Sequence, residues 1–126
     1  MNKDMNKEEL LNAVYDKTHG CCHLCHKKLA FANYGKNGEK GSWHIEHSKP
    51  KAKGGTDHLN NLLPACIPCN LKKGISHAKK IRKLNYLTRA PLSGPKKKEI
   101  KNNNMIALGA VGFIVGRLLV FPLWVL

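Results

Sequence analysis

The sequence predicts a small α+β domain with an N-terminal helix and, near the other end of the chain, a hydrophobic helix. Three observations support this prediction. Apolar residues near the N-terminus recur at helical spacing, residues 43–47 alternate as a strand does, and two Cys-x-x-Cys pairs flank that strand. A chain of 126 residues has room for one small domain, which excludes a large two-domain enzyme.

The first element is an amphipathic helix over Lys7–Thr18. Asn6 and Glu9 have the spacing of a capping box, and apolar residues follow at every third or fourth position. Residues 36–42 are rich in Gly and Lys, which predicts a loop. The alternating segment Trp43–His47 then predicts a strand.

The elements after this strand are predicted from turn residues and apolar spacing. Residues 49–57 contain a proline and two glycines and predict a loop, after which the leucines at 59, 62 and 63 predict a short strand or turn. Asn70–Leu87 is lysine-rich with spaced apolar residues, and we expect a helix that breaks near Gly74.

The two Cys-x-x-Cys pairs predict a structural zinc site, because each pair can present two thiolates to one tetrahedral ion. The four ligands of this prediction are Cys22, Cys25, Cys66 and Cys69. A redox pair is the alternative, but redox motifs occur singly and before a helix. Such an ion would stabilise a domain whose own apolar core is modest.

Some choices at the first pair stay open. Cys21 is adjacent to Cys22 and could ligate in its place, although the spacing to Cys25 favours Cys22. His23 and His26 are further candidates to replace a cysteine ligand.

The charge of the chain predicts a polyanionic partner. Twenty-two Lys and Arg against eight Asp and Glu give a net charge of +14. Nucleic acid is the first candidate partner and an anionic membrane is the second.

The region from the first cysteine pair to Gly74 resembles the HNH endonuclease family, the ββα-metal nucleases. The resemblance is carried by Glu46-His47 with a proline three residues on, by Gly54-Gly55, by Asn61-Leu, and by Cys-x-x-Cys69-Asn70 with Lys-Gly behind it. It implies an antiparallel two-stranded ribbon followed by a helix, with one catalytic metal ion between them and the four-cysteine zinc site at the base of the ribbon.

The resemblance also implies roles for four residues. His47 is the general base, a role that suits a ring that is neutral near pH 7. Glu46 and Asn70 are the ligands of a catalytic divalent ion, Mg²⁺ or Mn²⁺, which prefers hard oxygen atoms. Asn61 has a supporting role in the catalytic set and ties the loop that aims His47. Most members carry Asp where this chain has Glu46.

Several further residues are candidates for the site. His44 lies two positions before Glu46 and, if the strand is regular, on the same face, so it could approach the metal ion or the phosphate. The alternative for His44 is a half-exposed strand residue. The candidates for nucleic-acid binding are Lys49, Lys51, Lys53, Lys72 and Lys73. Such residues bind phosphate without reading bases, which predicts low sequence specificity.

The C-terminal segment differs from the rest of the chain. We expect a nuclease domain at 1–90, a basic Pro/Gly/Asn linker at 91–104 and a hydrophobic segment at 105–126, whose one charged residue is Arg117. That segment is long enough to be a transmembrane helix. A buried or oligomer-forming helix is the alternative.

The sequence therefore predicts a metal-dependent HNH endonuclease that hydrolyses DNA. Two alternatives stay open: a zinc-stapled nucleic-acid-binding module without catalysis, and a membrane-tethered nuclease effector or toxin. The charged N-terminus has no apolar run, and we expect a cytoplasmic protein, with its nuclease domain on the cytoplasmic side if the tail inserts.

Overall fold

Residues 4–107 of the chain are described here from a computed structural model. The first helix, α1, covers Lys7–Asp16 and ends two residues before the predicted boundary. Its capping box is formed: the Glu9 backbone N–H donates to Asn6 Oδ1 at 2.9 Å, and the Asn6 N–H donates to Glu9 Oε2 at 3.0 Å. The predicted N-terminal helix is confirmed.

An antiparallel ribbon of two strands forms the centre of the domain. Strand β1 covers Trp43–His47, as predicted, and strand β2 covers Leu62–Cys66. Trp43 lies opposite Cys66 at one end of the ribbon, and His47 lies opposite Leu62 at the other. The ribbon therefore joins the second cysteine pair at one end to the Glu46-His47 pair at the other.

Two short helices follow the ribbon and are separated at Gly74. Helix α2 covers Ile67–Lys73 and packs on both strands, and helix α3 covers Ala78–Leu84. Helix α2 begins three residues before the predicted start, because the proline in its first turn is compatible with a helix N-terminus. The break at Gly74 is confirmed.

Trp43 lies at the centre of the hydrophobic core and is fully buried. The rings of Tyr15, Phe31 and Tyr34 surround it, with centroids 5.5, 6.1 and 4.9 Å from its own. Tilted and edge-on aromatic contacts at these distances are favourable beyond the burial of area alone. The core therefore fixes the end of β1 that lies nearest the cysteines.

Residues 94–107 form a fourth helix, α4, where the sequence analysis expected a linker up to residue 104. Its proline lies in the first turn, and no Gly or Pro interrupts residues 96–107. The structure divides into two compact units, Met1–Gly94 and Pro95–Leu126. The three-part division of the chain at 90 and 104 stays a prediction.

The predicted transmembrane segment at 105–126 lies outside the described residues from position 108 onward. Within residues 4–107, no helix has both the length and the apolar character needed to cross a membrane.

Candidate active site and metal centre

The four predicted zinc ligands converge at the base of the ribbon. The sulfur atoms of Cys22, Cys25, Cys66 and Cys69 all lie within 4.8 Å of one another. The Sγ atoms of Cys25 and Cys66 are 3.8 Å apart. Two thiolates bound at 2.3 Å to one tetrahedral zinc ion would be about 3.8 Å apart. This donor set and its spacing fit a structural zinc ion.

The open choices at the first cysteine pair are resolved by the same geometry. Cys21 is not part of the cluster, and its thiol lies 3.8 Å from the carbonyl oxygen of His19. His23 faces away from the sulfur atoms, toward Glu46, and His26 contacts the Arg89 carbonyl at 2.9 Å. The alternatives in which Cys21, His23 or His26 replaces a cysteine ligand are therefore wrong.

The surroundings of Cys22 and Cys69 favour their protonated thiols as long as no cation is bound. A hydrogen bond with Cys66, together with burial, raises the pKa of the Cys22 thiol. Burial raises the pKa of Cys69 to about 12. Zinc binds the thiolate form, so its binding must displace these protons.

The three residues of the predicted catalytic centre, Glu46, His47 and Asn70, line one cleft of about 340 Å³. Lys73 lines it with them. Glu46 and His47 are neighbours on β1, whose successive side chains point to opposite faces. Both nevertheless border this cleft, and His47 is the last residue of the strand. The structure thus brings together the residues that the resemblance selected.

Glu46 is buried, with 5% of its surface exposed, and both of its carboxylate oxygens are engaged. Oε2 lies 2.8 Å from His23 Nε2, and Oε1 accepts a hydrogen bond from Lys73 Nζ. Lys73, which we expected to contact phosphate, is itself only 2% exposed. A buried carboxylate needs a partner, and this ammonium supplies it. A contact of Lys73 with phosphate stays a prediction.

The cluster around Glu46 continues through His23 to Arg82. Arg82 Nη2 donates to His23 Nδ1 at 2.9 Å, and Arg82 Nε donates to the His23 carbonyl at 2.9 Å. Burial lowers the pKa of His23, an effect that Glu46 partly opposes. Within the described residues no buried side-chain N or O atom is without a partner. The sequence analysis placed neither His23 nor Arg82 at the catalytic centre.

Asp57 is a second residue that the sequence analysis missed. Its Oδ1 lies 2.8 Å from His47 Nε2, and its Oδ2 lies 2.8 Å from Lys51 Nζ. The hydrogen bonds from Lys51 and then His47 lower the pKa of Asp57 below its ordinary value of 3.8. Asp57 is therefore ionised at neutral pH and can only accept, so His47 carries its proton on Nε2. The other ring nitrogen, Nδ1, is left able to take up a proton.

Asn61 closes the loop that carries Asp57. Its amide accepts from the Lys49 N–H at 2.8 Å and donates to the carbonyls of Lys49 and Thr56 at 3.1 and 2.8 Å. A Cβ on Gly55 would lie 1.8 Å from the Lys49 carbonyl oxygen, so a side chain at this position has no room. These contacts are the ones that a loop-tying role for Asn61 requires.

Most of the remaining candidates do not line this cleft. His44 packs edge-on against the Tyr34 ring, with centroids 5.7 Å apart, and is not among the residues that line the cleft. Four of the predicted phosphate-binding lysines are exposed: Lys49, Lys51, Lys53 and Lys72. Of these, Lys51 borders the cleft.

An antiparallel ribbon, a helix packed across it and a four-cysteine cluster at its base define a small α+β domain of ββα arrangement, and the cluster could hold a structural zinc ion. Residues 22–75 match the model of the HNH endonuclease family. The resemblance noted in the sequence is confirmed over that range. Comparison with curated proteins gave no match.

Proposed function

We propose that this protein is a metal-dependent endonuclease that hydrolyses DNA phosphodiester bonds with low sequence specificity. The single observation that carries the proposal is the convergence of Glu46, His47 and Asn70 on one cleft within the segment that matches the HNH family. Hydrolysis needs a group that takes a proton from water and positive charge near the scissile phosphate. This cleft offers both.

His47 is the proposed general base. Asp57 holds the ring proton on Nε2 and fixes the orientation of the ring. Nδ1 is then the atom that accepts a proton from the attacking water. Lys51 neutralises part of the Asp57 charge and helps to lower the pKa of Asp57. The three side chains act as one chain of hydrogen bonds.

The donor set of the cleft fits a hydrated divalent ion. Glu46 and Asn70 offer hard oxygen atoms, and an ion with so few protein ligands must keep several waters, which suits Mg²⁺. Each Glu46 oxygen has a second lone pair beyond the one that Lys73 or His23 uses. When bound, such an ion stabilises charge on the phosphate and the leaving oxygen.

DNA is the proposed substrate because the surface beside the catalytic cleft is basic. A second cleft of about 420 Å³ borders the loop of Lys49, and no Asp or Glu lines it. The basic residues that line it are Lys49, His77, Lys79 and Arg82. Contacts of this kind neutralise phosphates without reading bases. They support binding of a nucleic-acid backbone with low sequence preference.

The proposal is tested by incubating the full chain with supercoiled plasmid and Mg²⁺ or Mn²⁺. We expect nicked circles, with cuts spread over many sequences when the ends are mapped, and no cutting when EDTA is present. Binding without any nicking would instead identify a zinc-stapled nucleic-acid-binding module. Cutting that persists in EDTA would contradict the metal dependence.

A further inference from the structure

His23 occupies an unusual position for a residue inside the first cysteine pair, the segment Cys22–Cys25 that we call the zinc knuckle. It lies between Cys22 and Cys25 in sequence, yet its side chain is fully buried and faces away from their sulfur atoms. Its backbone N–H donates to the Pro64 carbonyl at 2.9 Å, which anchors it to β2. The first knuckle therefore delivers a buried imidazole to the interior face of the ribbon.

The contacts of His23 define its protonation. A guanidinium can only donate hydrogen bonds, so the Nδ1 atom that faces Arg82 Nη2 must carry the lone pair. The single ring proton then lies on Nε2, where it is donated to Glu46 Oε2 at 2.8 Å. Arg82 also holds the His23 carbonyl, so one residue fixes both the ring and its backbone.

This arrangement acts on the orientation of Glu46. A glutamate has three side-chain torsions, and their ordering costs up to about 2 kcal/mol in lost rotamer freedom. The resemblance implies Asp at this position in most members, and Glu46 is one methylene longer. The donor at His23, itself fully buried, holds the end of this longer side chain at 2.8 Å.

We propose that His23 is a positioning residue for Glu46. Hydrogen bonds from Arg82 to His23 and from His23 to the Glu46 carboxylate connect the zinc knuckle to the catalytic cleft. The inference rests on the proposed function, in which Glu46 holds the divalent ion. Outer partners that orient a metal ligand contribute about 10–100-fold to metal affinity or activity.

The first experiment needs no variant. Nitrogen-15 spectra of the full chain with zinc and without added Mg²⁺ or Mn²⁺ report which ring nitrogen of His23 bears the proton. We expect the Nε2–H form. An Nδ1–H ring would overturn the proposal, since such a ring could not donate to Glu46 through Nε2.

The second experiment compares His23→Phe and His23→Gln with matched changes at His26, which lies beside the same knuckle without touching Glu46. We expect His23→Phe to lower Mn²⁺ affinity, measured by calorimetry, and plasmid-nicking kcat by about 10–100-fold, with zinc content and the KM for DNA unchanged. His23→Gln should recover most of the loss, because its amide can donate to Glu46 and accept from Arg82. Both His26 variants should behave as the unsubstituted protein.

The outcomes separate this inference from the proposed function. A protein that binds Mn²⁺ with His23-dependent affinity but never nicks DNA would refute the nuclease and leave the positioning role standing. Equal Mn²⁺ affinity in the unsubstituted chain and in folded, zinc-loaded His23→Phe, beside normal nicking, would overturn the positioning role. If His23→Phe does not fold, the ring spectrum and His23→Gln still test the positioning role. A folded Arg82→Met variant, which lacks the donor that fixes His23, then serves as the comparison. The positioning role requires that His23→Gln bind Mn²⁺ more tightly than Arg82→Met.

Discussion

His47 Nε2 and Asp57 Oδ1 are 2.8 Å apart, although the two residues are ten positions apart in sequence. The contact converts a half-exposed histidine into an oriented one, since an ionised carboxylate fixes both the tautomer and the plane of the ring. The loop that provides Asp57 is closed by Asn61 and by a glycine that has no room for a side chain. Residues of this loop thus determine the orientation of the His47 ring.

Asp57→Asn tests this orientation. The amide can still contact His47 but no longer demands a proton on Nε2, so we expect nicking kcat to fall by about 10–100-fold, less than the ~10²–10⁴-fold of a lost general base. The exposed Asp16→Asn is the matched control and should leave kcat unchanged. An unchanged kcat for Asp57→Asn would show that the pair does not contribute to catalysis.

Gly55→Ala tests the loop. The added Cβ would meet the Lys49 carbonyl oxygen at 1.8 Å, so backbone must move, and we expect a loss of about 1–3 kcal/mol in the free energy of unfolding together with reduced nicking. Urea denaturation measures the first effect. Gly38→Ala, at a position with nothing within 4 Å, should cost less despite its positive φ of 89°. Equal losses at the two glycines would contradict the steric argument.

Removal of one zinc ligand tests the metal centre. Cys66→Ser should abolish zinc binding, measured by elemental analysis, and cooperative thermal unfolding, because structural zinc contributes about 10–16 kcal/mol of apparent binding energy to folding. Cys21→Ser is the matched control, since Cys21 lies outside the cluster, and it should keep both properties. Zinc loss in Cys21→Ser but not in Cys66→Ser would mean that the ligand set is wrongly assigned.

Lys73→Met tests the buried pair with Glu46. Breaking a buried ion pair leaves one charge uncompensated and costs about 3–5 kcal/mol, so we expect a clear drop in Tm in the absence of divalent ions. Mn²⁺ should raise the Tm of this variant more than that of the unsubstituted protein, because the ion no longer shares Glu46 with an ammonium. Lys72→Met, one residue earlier and exposed, should change stability by less than about 0.5 kcal/mol. The account fails if the two methionine variants are equally stable.

Local signals in the sequence were enough to predict much of the fold. The Asn6 and Glu9 capping box, the alternation over Trp43–His47 and the break at Gly74 each depend on residues close in sequence, and each is confirmed. The four-cysteine cluster could be predicted because the spacing of zinc ligands is restrictive. Helix α4 was missed because a charged, Asn-containing segment has the composition of a linker even when it is helical.

The contacts that complete the site could not be predicted in this way. The hydrogen bond between His23 and Glu46 joins residues 23 positions apart, and the one between Arg82 and His23 spans 59 positions. Neither pair leaves a periodic signal, because the contacts depend on how the knuckle and α3 pack on the ribbon. The burial of Lys73 was missed for the same reason: the sequence suggested only a candidate for nucleic-acid binding, while its partner Glu46 lies on β1.

The central claim is that His47 is the general base of a metal-dependent nuclease. The most direct measurement is plasmid nicking by the full chain, His47→Ala and His58→Ala at equal zinc content, in Mg²⁺ or Mn²⁺. We predict that His47→Ala loses about 10²–10⁴-fold in rate and that His58→Ala, an exposed histidine in the same region that is not among the residues lining the cleft, retains full activity. Equal nicking by His47→Ala and the unsubstituted protein would contradict the account.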